Sequence, residues 1–126
     1  MKYEGLEAGY EFPPVSYNLT PSIVSKYEEA VENHPVFANL VPPMAIAAYT
    51  MKTLSQFLDV PPGSIHVSQD FEFFKSVVVG SSIYCQSRIL QRLNRNKLNM
   101  LVIGLTSLDQ NNELVLSGKM TFILPN

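Results

Sequence analysis

Val15, Tyr17 and Leu19 alternate with Ser16 and Asn18. A period of two over so few residues predicts a short, half-buried strand. Thr20-Pro21 follows, with the form of an N-cap and a first helical residue. A threonine hydroxyl there accepts from an orphan amide, and proline removes only an amide that had no partner. Behind it Ile23, Val24, Tyr27, Ala30 and Val31 recur at helical spacing. That pattern predicts an amphipathic helix over 21–32. The residues before the first strand, 1–13, read as irregular, punctuated by Gly5, Gly9 and the Pro13-Pro14 pair.

A second helix is expected to begin at Pro42-Pro43 and to run over 44–58. It carries Met44, Ile46, Ala47, Ala48, Tyr49, Met51, Leu54, Phe57 and Leu58, with no glycine or proline inside. Its apolar arc is wider than a surface helix needs, so other structure should enclose most of its circumference. The loop 59–63, with Pro61-Pro62-Gly63, closes it.

The rest reads as β. Ile65, Val67, Gln69, Phe71 and Phe73 alternate with His66, Ser68, Asp70, Glu72 and Phe74. A second run, 82–94, places Ile83, Cys85, Ile89 and Leu93 on one face, and by the period of two Arg88 and Arg92 share a face. Runs over 97–108 and 113–124 complete the set. Polar turns at 94–96 and 109–112 join these runs, which predicts a long antiparallel meander. No helix separates the later strands, so the class is α+β and not βαβ. The expected architecture is a long curved antiparallel sheet around a central apolar helix.

Composition narrows the classes of function. The 126 residues suit a single domain spanning 1–126. A chain 46 % hydrophobic and only 16 % charged is not a disordered one. So little charge also points to surface used in association. A net charge of −2 argues against a general nucleic-acid binder. Cys85 is the single cysteine, so no intrachain disulfide forms. With His34 and His66 it gives no closely spaced set of ligands for a structural zinc. Met1-Lys2-Tyr3-Glu4 is not followed by an apolar run, and 41–51 is too short and proline-interrupted to span a bilayer. A soluble, cytoplasmic protein without a membrane or nucleic-acid partner is expected.

Three places carry a resemblance. Residues 27–37, Tyr-Glu-Glu-Ala-Val-Glu-Asn-His-Pro-Val-Phe, resemble a helix-end motif of the form Gly-Asp-x-Asn-Pro-Ile-His. Leu40-Val41-Pro42-Pro43-Met44 resembles the entrance to a central helix, and 65–81 resembles the strand and turn that follow it. Gly118 in the last strand also fits. In order and spacing these resemble the MaoC-like (R)-specific hydratase/dehydratase family, which has the hotdog fold. The likeness runs from about Val15 to Leu124.

The resemblance implies acyl thioesters of coenzyme A or of acyl carrier protein as ligands, and no metal or resident cofactor. Members of that family add or remove water across an α,β double bond. An Asp and a His do the acid–base work, and an amide at the start of the central helix polarises the thioester carbonyl. Here the Asp position holds Glu32, the His position holds Phe37, and the amide position holds Pro43. Phenylalanine transfers no proton, and proline has no amide to give. The segment between the motif and the central helix is also shorter than in active members. This pattern resembles the non-catalytic halves of heterodimeric or double-hotdog members, whose partner half carries the Asp and His.

The resulting expectation is a non-catalytic, acyl-thioester-binding subunit, as a homodimer or beside a second hotdog chain. Phe37, Pro43, Met44, Ala47 and His66 are the candidate substrate-binding residues. One alternative is a stand-alone hydratase, dehydratase or thioesterase with Glu32 and His34 as catalytic residues. Another is a lipid or small-molecule binding module without catalysis. Each of these residues also has a plain reading. Glu32 reads as a solvated helix end, His34 as a loop residue, His66 as solvent-facing or buried in a pair interface, and Tyr27 and Tyr49 as core. The cluster Arg88, Arg92, Arg95 and Lys97 reads either as a contact for coenzyme A phosphates or an acidic carrier helix, or as a charged strand end.

Overall fold

The computed structural model describes residues 6–31 and 39–125. Strand β1 (Val15–Asn18) leads into helix α1 (Pro21–Ala30), and helix α2 (Pro43–Ser55) follows. Four strands complete the chain: β2 (Ile65–Phe73), β3 (Ser82–Arg95), β4 (Leu98–Leu108) and β5 (Leu114–Leu124). The Ile23 amide donates to Thr20 Oγ1 at 3.2 Å, so Thr20 caps α1 as its position before Pro21 requires.

The five strands form one sheet in the order β1-β3-β4-β5-β2, with every neighbouring pair antiparallel. Strands β3, β4 and β5 make the expected meander. Asn96 and Lys97, at φ 50 and 67, turn β3 into β4 with the left-handed backbone of a two-residue hairpin loop.

Two expectations are corrected. The first concerns β2, which does not adjoin β3 but pairs with β5 at the far edge of the sheet. The connector over 74–81 is longer than a hairpin turn and is tied elsewhere. The Val41 amide donates to the Val77 carbonyl, and the Val79 amide to the Asn39 carbonyl, each at 2.8 Å. Val77 is buried. The chain is thus held against the entrance of α2 and cannot fold straight back on β2.

The second concerns the faces of β3. The ladder with β4 shifts register between Ile89 and Gln91, where Leu90 is the extra residue of a β-bulge. A bulge inverts the alternation beyond it. Arg88 pairs with Gly104 and is exposed, whereas Arg92 pairs with Leu101, a fully buried core residue. The two arginines therefore lie on opposite faces. Arg92 donates to the Leu6 carbonyl at 3.1 Å. Leu93 likewise leaves the face shared by Ile83, Cys85 and Ile89.

Helix α2 lies on one face of the sheet, against β3 and β4. Its Ala45, Ile46, Ala47, Thr50, Thr53 and Leu54 are buried. One core cluster joins Leu54 and Leu58 to Ile89, Leu101, Ile103, Leu105 and Phe122. A second joins Ala45 and Ile46 to Val24, Val41, Val77, Ile83 and Leu116. Residues before β1, read as irregular, contribute Leu6 and Phe12 to the first cluster. Backbone bonds of Gly9, Tyr10 and Phe12 to Ile89 and Ser87 hold that segment against β3. No helix among the described residues is long and apolar enough to cross a membrane.

Candidate functional site

The exposed side of α2 carries Met44, Ala48 and Lys52, spaced four residues apart and so on one face. Helix α1 contributes Ile23, Lys26 and Tyr27 opposite it. Together Ile23, Lys26, Tyr27, Ala48, Tyr49 and Lys52 line an open groove of about 440 Å³. That volume lies in the range of ligand clefts, roughly 300–1,000 Å³. The walls are two tyrosines and an isoleucine, and Ala48 leaves room between them.

The Tyr49 wall is fixed by its neighbours. Its ring lies 4.9 Å from that of Tyr17. The Tyr17 hydroxyl in turn accepts from Gln56 Nε2 at 3.0 Å and from Thr53 Oγ1 at 3.3 Å. Lys52 Nζ sits 5.6 Å from the Tyr49 ring centroid, within range of a cation–π contact. Among the described residues no carboxylate lines the groove and neither lysine is in an ion pair. Tyr27 and Tyr49 are half-buried, packed against the second core cluster on one side and walling the groove on the other.

At the entrance of α2, Pro42 is the N-cap and Pro43 the first helical residue. The Ala45 amide turns back to the Pro42 carbonyl at 2.9 Å. A helix N-terminus favours developing negative charge through its free amides and its dipole. Position 43 offers no amide toward a ligand.

The sequence-derived candidates are dispersed. Glu32, His34 and Phe37 lie outside the described residues. Pro43 is exposed, and Met44 is 55 % exposed on the groove side of α2. Ala47 is fully buried against the sheet. His66 is exposed on β2 and stacks on Phe122, with ring centroids 4.8 Å apart. Among the described residues no group of three or more His, Cys, Asp or Glu side chains is placed to hold a metal. The basic cluster does not form a patch, because Arg88 and Arg92 are parted by the Leu90 bulge and Arg95 lies at the hairpin end. Arg88 instead borders a concavity of about 320 Å³ on the other face of the sheet, with Glu11, Gln86 and Thr106. Sequence reasoning missed Lys26 and Lys52. The signal was present as a polar break in the apolar arc of α2, four residues after Ala48.

No family model and no curated protein matches the chain. Solved structures do. The (R)-hydratase from A. caviae involved in PHA biosynthesis superposes with a TM-score of 0.79 at 19% identity, covering 97% of this chain and 99% of its own. That extent of overlap decides the architecture. The chain has the hotdog fold. A MaoC-like dehydratase from Rhodospirillum rubrum is similar at a TM-score of 0.73 and 16% identity, covering 98% of this hotdog chain and 96% of that one. The C-terminally truncated HadBC (3R-hydroxyacyl-ACP dehydratase) complex from Mycobacterium tuberculosis contains a chain similar at a TM-score of 0.66 and 18% identity, covering 90% of this chain and 93% of that one.

Proposed function

We propose that this hotdog chain binds acyl thioesters, of coenzyme A or of acyl carrier protein, as a non-catalytic member of the MaoC-like dehydratase class. The observation that carries the reading is Pro43 at the first position of α2. The place where an amide would polarise a thioester carbonyl has none. The sequence adds Phe37 where that family's pattern has a proton-transferring imidazole. The ligand class is supported by the likeness to hydratase and dehydratase structures.

The chain works as a homodimer or beside a second hotdog chain. Support comes from β2, which among the described residues pairs only with β5 and ends the sheet. Ile65, Val67, Phe73 and Phe74 are exposed on it and just beyond it. A nine-residue edge with that much apolar surface is an aggregation hazard unless another strand covers it. The HadBC complex is a precedent for two different chains together. In a heterodimer this chain would shape the acyl pocket and the partner would supply the acid–base pair.

Titration of the purified chain with a saturated acyl-coenzyme A, alongside sedimentation of the free chain, tests the reading. Saturable binding by a dimer, or by a monomer that dimerises with a co-encoded hotdog chain, is expected. Absence of binding in every assembly contradicts it.

A further inference from the structure

The groove between α1 and α2 sets two cationic side chains directly beside apolar walls. Among the described residues its walls and floor, Ile23, Tyr27, Ala48 and Tyr49, are apolar or aromatic, and the two charged ones, Lys26 and Lys52, have the same sign. We propose that this groove binds a free long-chain carboxylic acid as its anion, with the tail along Ala48 and the carboxylate between the two ammonium groups.

Charge complementarity selects this occupant. The carbonyl of a thioester or an ester is neutral, and the charges of an acyl-coenzyme A lie on phosphates a whole pantetheine arm away from the acyl chain, whereas here both ammonium groups border the apolar walls themselves. A carboxylate gives each of them a charge-assisted hydrogen bond, roughly twice as strong as a neutral one. Neither lysine is in an ion pair among the described residues, so no protein carboxylate there has to be displaced. Lys52 is held over the Tyr49 ring, which is itself packed against Tyr17, so one ammonium is positioned before the ligand arrives. Binding of a ligand without such ordering would cost side-chain entropy at the rim. Ala48 is the exposed residue of α2 whose small size keeps the groove open.

The site does not depend on the thioester reading, and its test contains no thioester. Dodecanoate, methyl dodecanoate and acetate are titrated calorimetrically into the full chain and into two variants. Dodecanoate should bind at least about tenfold more tightly than its methyl ester, and acetate should not register. The double variant Lys26→Gln/Lys52→Gln should lose the preference for the acid while still taking up the ester. Ala48→Phe, which fills the groove, should bind neither. All three changed positions are exposed, and circular dichroism confirms that each variant is folded; if Ala48→Phe is not, the lysine variant alone carries the test. Equal affinity for acid and ester, a preference that survives loss of both lysines, or no binding of dodecanoate would each overturn the proposal.

Discussion

Phe71 on β2 stands directly across from Gly118 on β5, and its ring fills the space that a side chain at 118 would need. A Cβ built there would lie 2.6 Å from Phe71 Cδ1 and 2.7 Å from the Asp70 carbonyl oxygen. The ring can turn away, but the carbonyl is backbone. Gly118→Ala should therefore destabilise the protein by about 1–3 kcal/mol, the usual cost of overpacking. Denaturant unfolding measures it. Combining it with Phe71→Ala should give less than the sum of the two single losses, because they share one space.

Lys75 clamps the far end of the sheet. Its ammonium donates to Asp109 in the β4–β5 turn and to Glu113 just before β5, at 2.8 Å in the second case. Asp109 Oδ1 also accepts from the amides of Asn111 and Glu113. The Lys75 hydrogen bond foremost, then the Glu113 amide, hold the Asp109 carboxyl below the ordinary carboxylate range. A lowered folded-state value means that the charged form stabilises the fold above the unfolded value, about 3.9, and that this contribution is lost as pH falls through the lowered value. Asp109→Asn should therefore be less stable than the parent at pH 7. The gap should begin to narrow below pH of about 4 and close as pH falls through the lowered value. Parallel thermal melts across that range check it.

Cys85 is fully buried beneath α2, with Thr50 Oγ1 3.7 Å from its sulfur. Burial pushes its thiol above the ordinary value, against a smaller opposing effect of the Thr50 and Thr53 hydroxyls. Only the thiolate reacts readily. At pH 7.5 the native protein should leave a thiol reagent untouched for as long as it stays folded, and denaturant should release one reactive thiol per chain. Fast labelling of the native protein would show that α2 lifts readily from the sheet.

Much of this fold was legible because local signals agreed with the final packing. Thr20-Pro21 marked a helix start, the long strands showed their period, and the wide apolar arc of α2 announced a helix laid on a sheet. The order of β2 was not legible, because it is set by backbone bonds of Val41, Val77 and Val79 between distant segments. The bulge at Leu90 was not legible either. Ile89-Leu90-Gln91 is ordinary strand sequence, and a single unpaired residue sent Arg92 to the other face. The groove was not legible. The tyrosines read as core, and only the position of α1 beside α2 turns Lys26 and Lys52 toward one space.

The central claim is that the chain holds an acyl thioester without hydrating it, and turnover tests that most directly. The purified chain is given a panel of trans-2-enoyl-coenzyme A thioesters, and loss of the conjugated enoyl absorbance is followed, first alone and then with any co-encoded hotdog chain that carries the intact Asp and His pattern. The account predicts no turnover by the chain alone, and turnover once that partner is added. Turnover by the chain alone would contradict it, and loss of that turnover in Glu32→Gln would make this an enzyme in its own right.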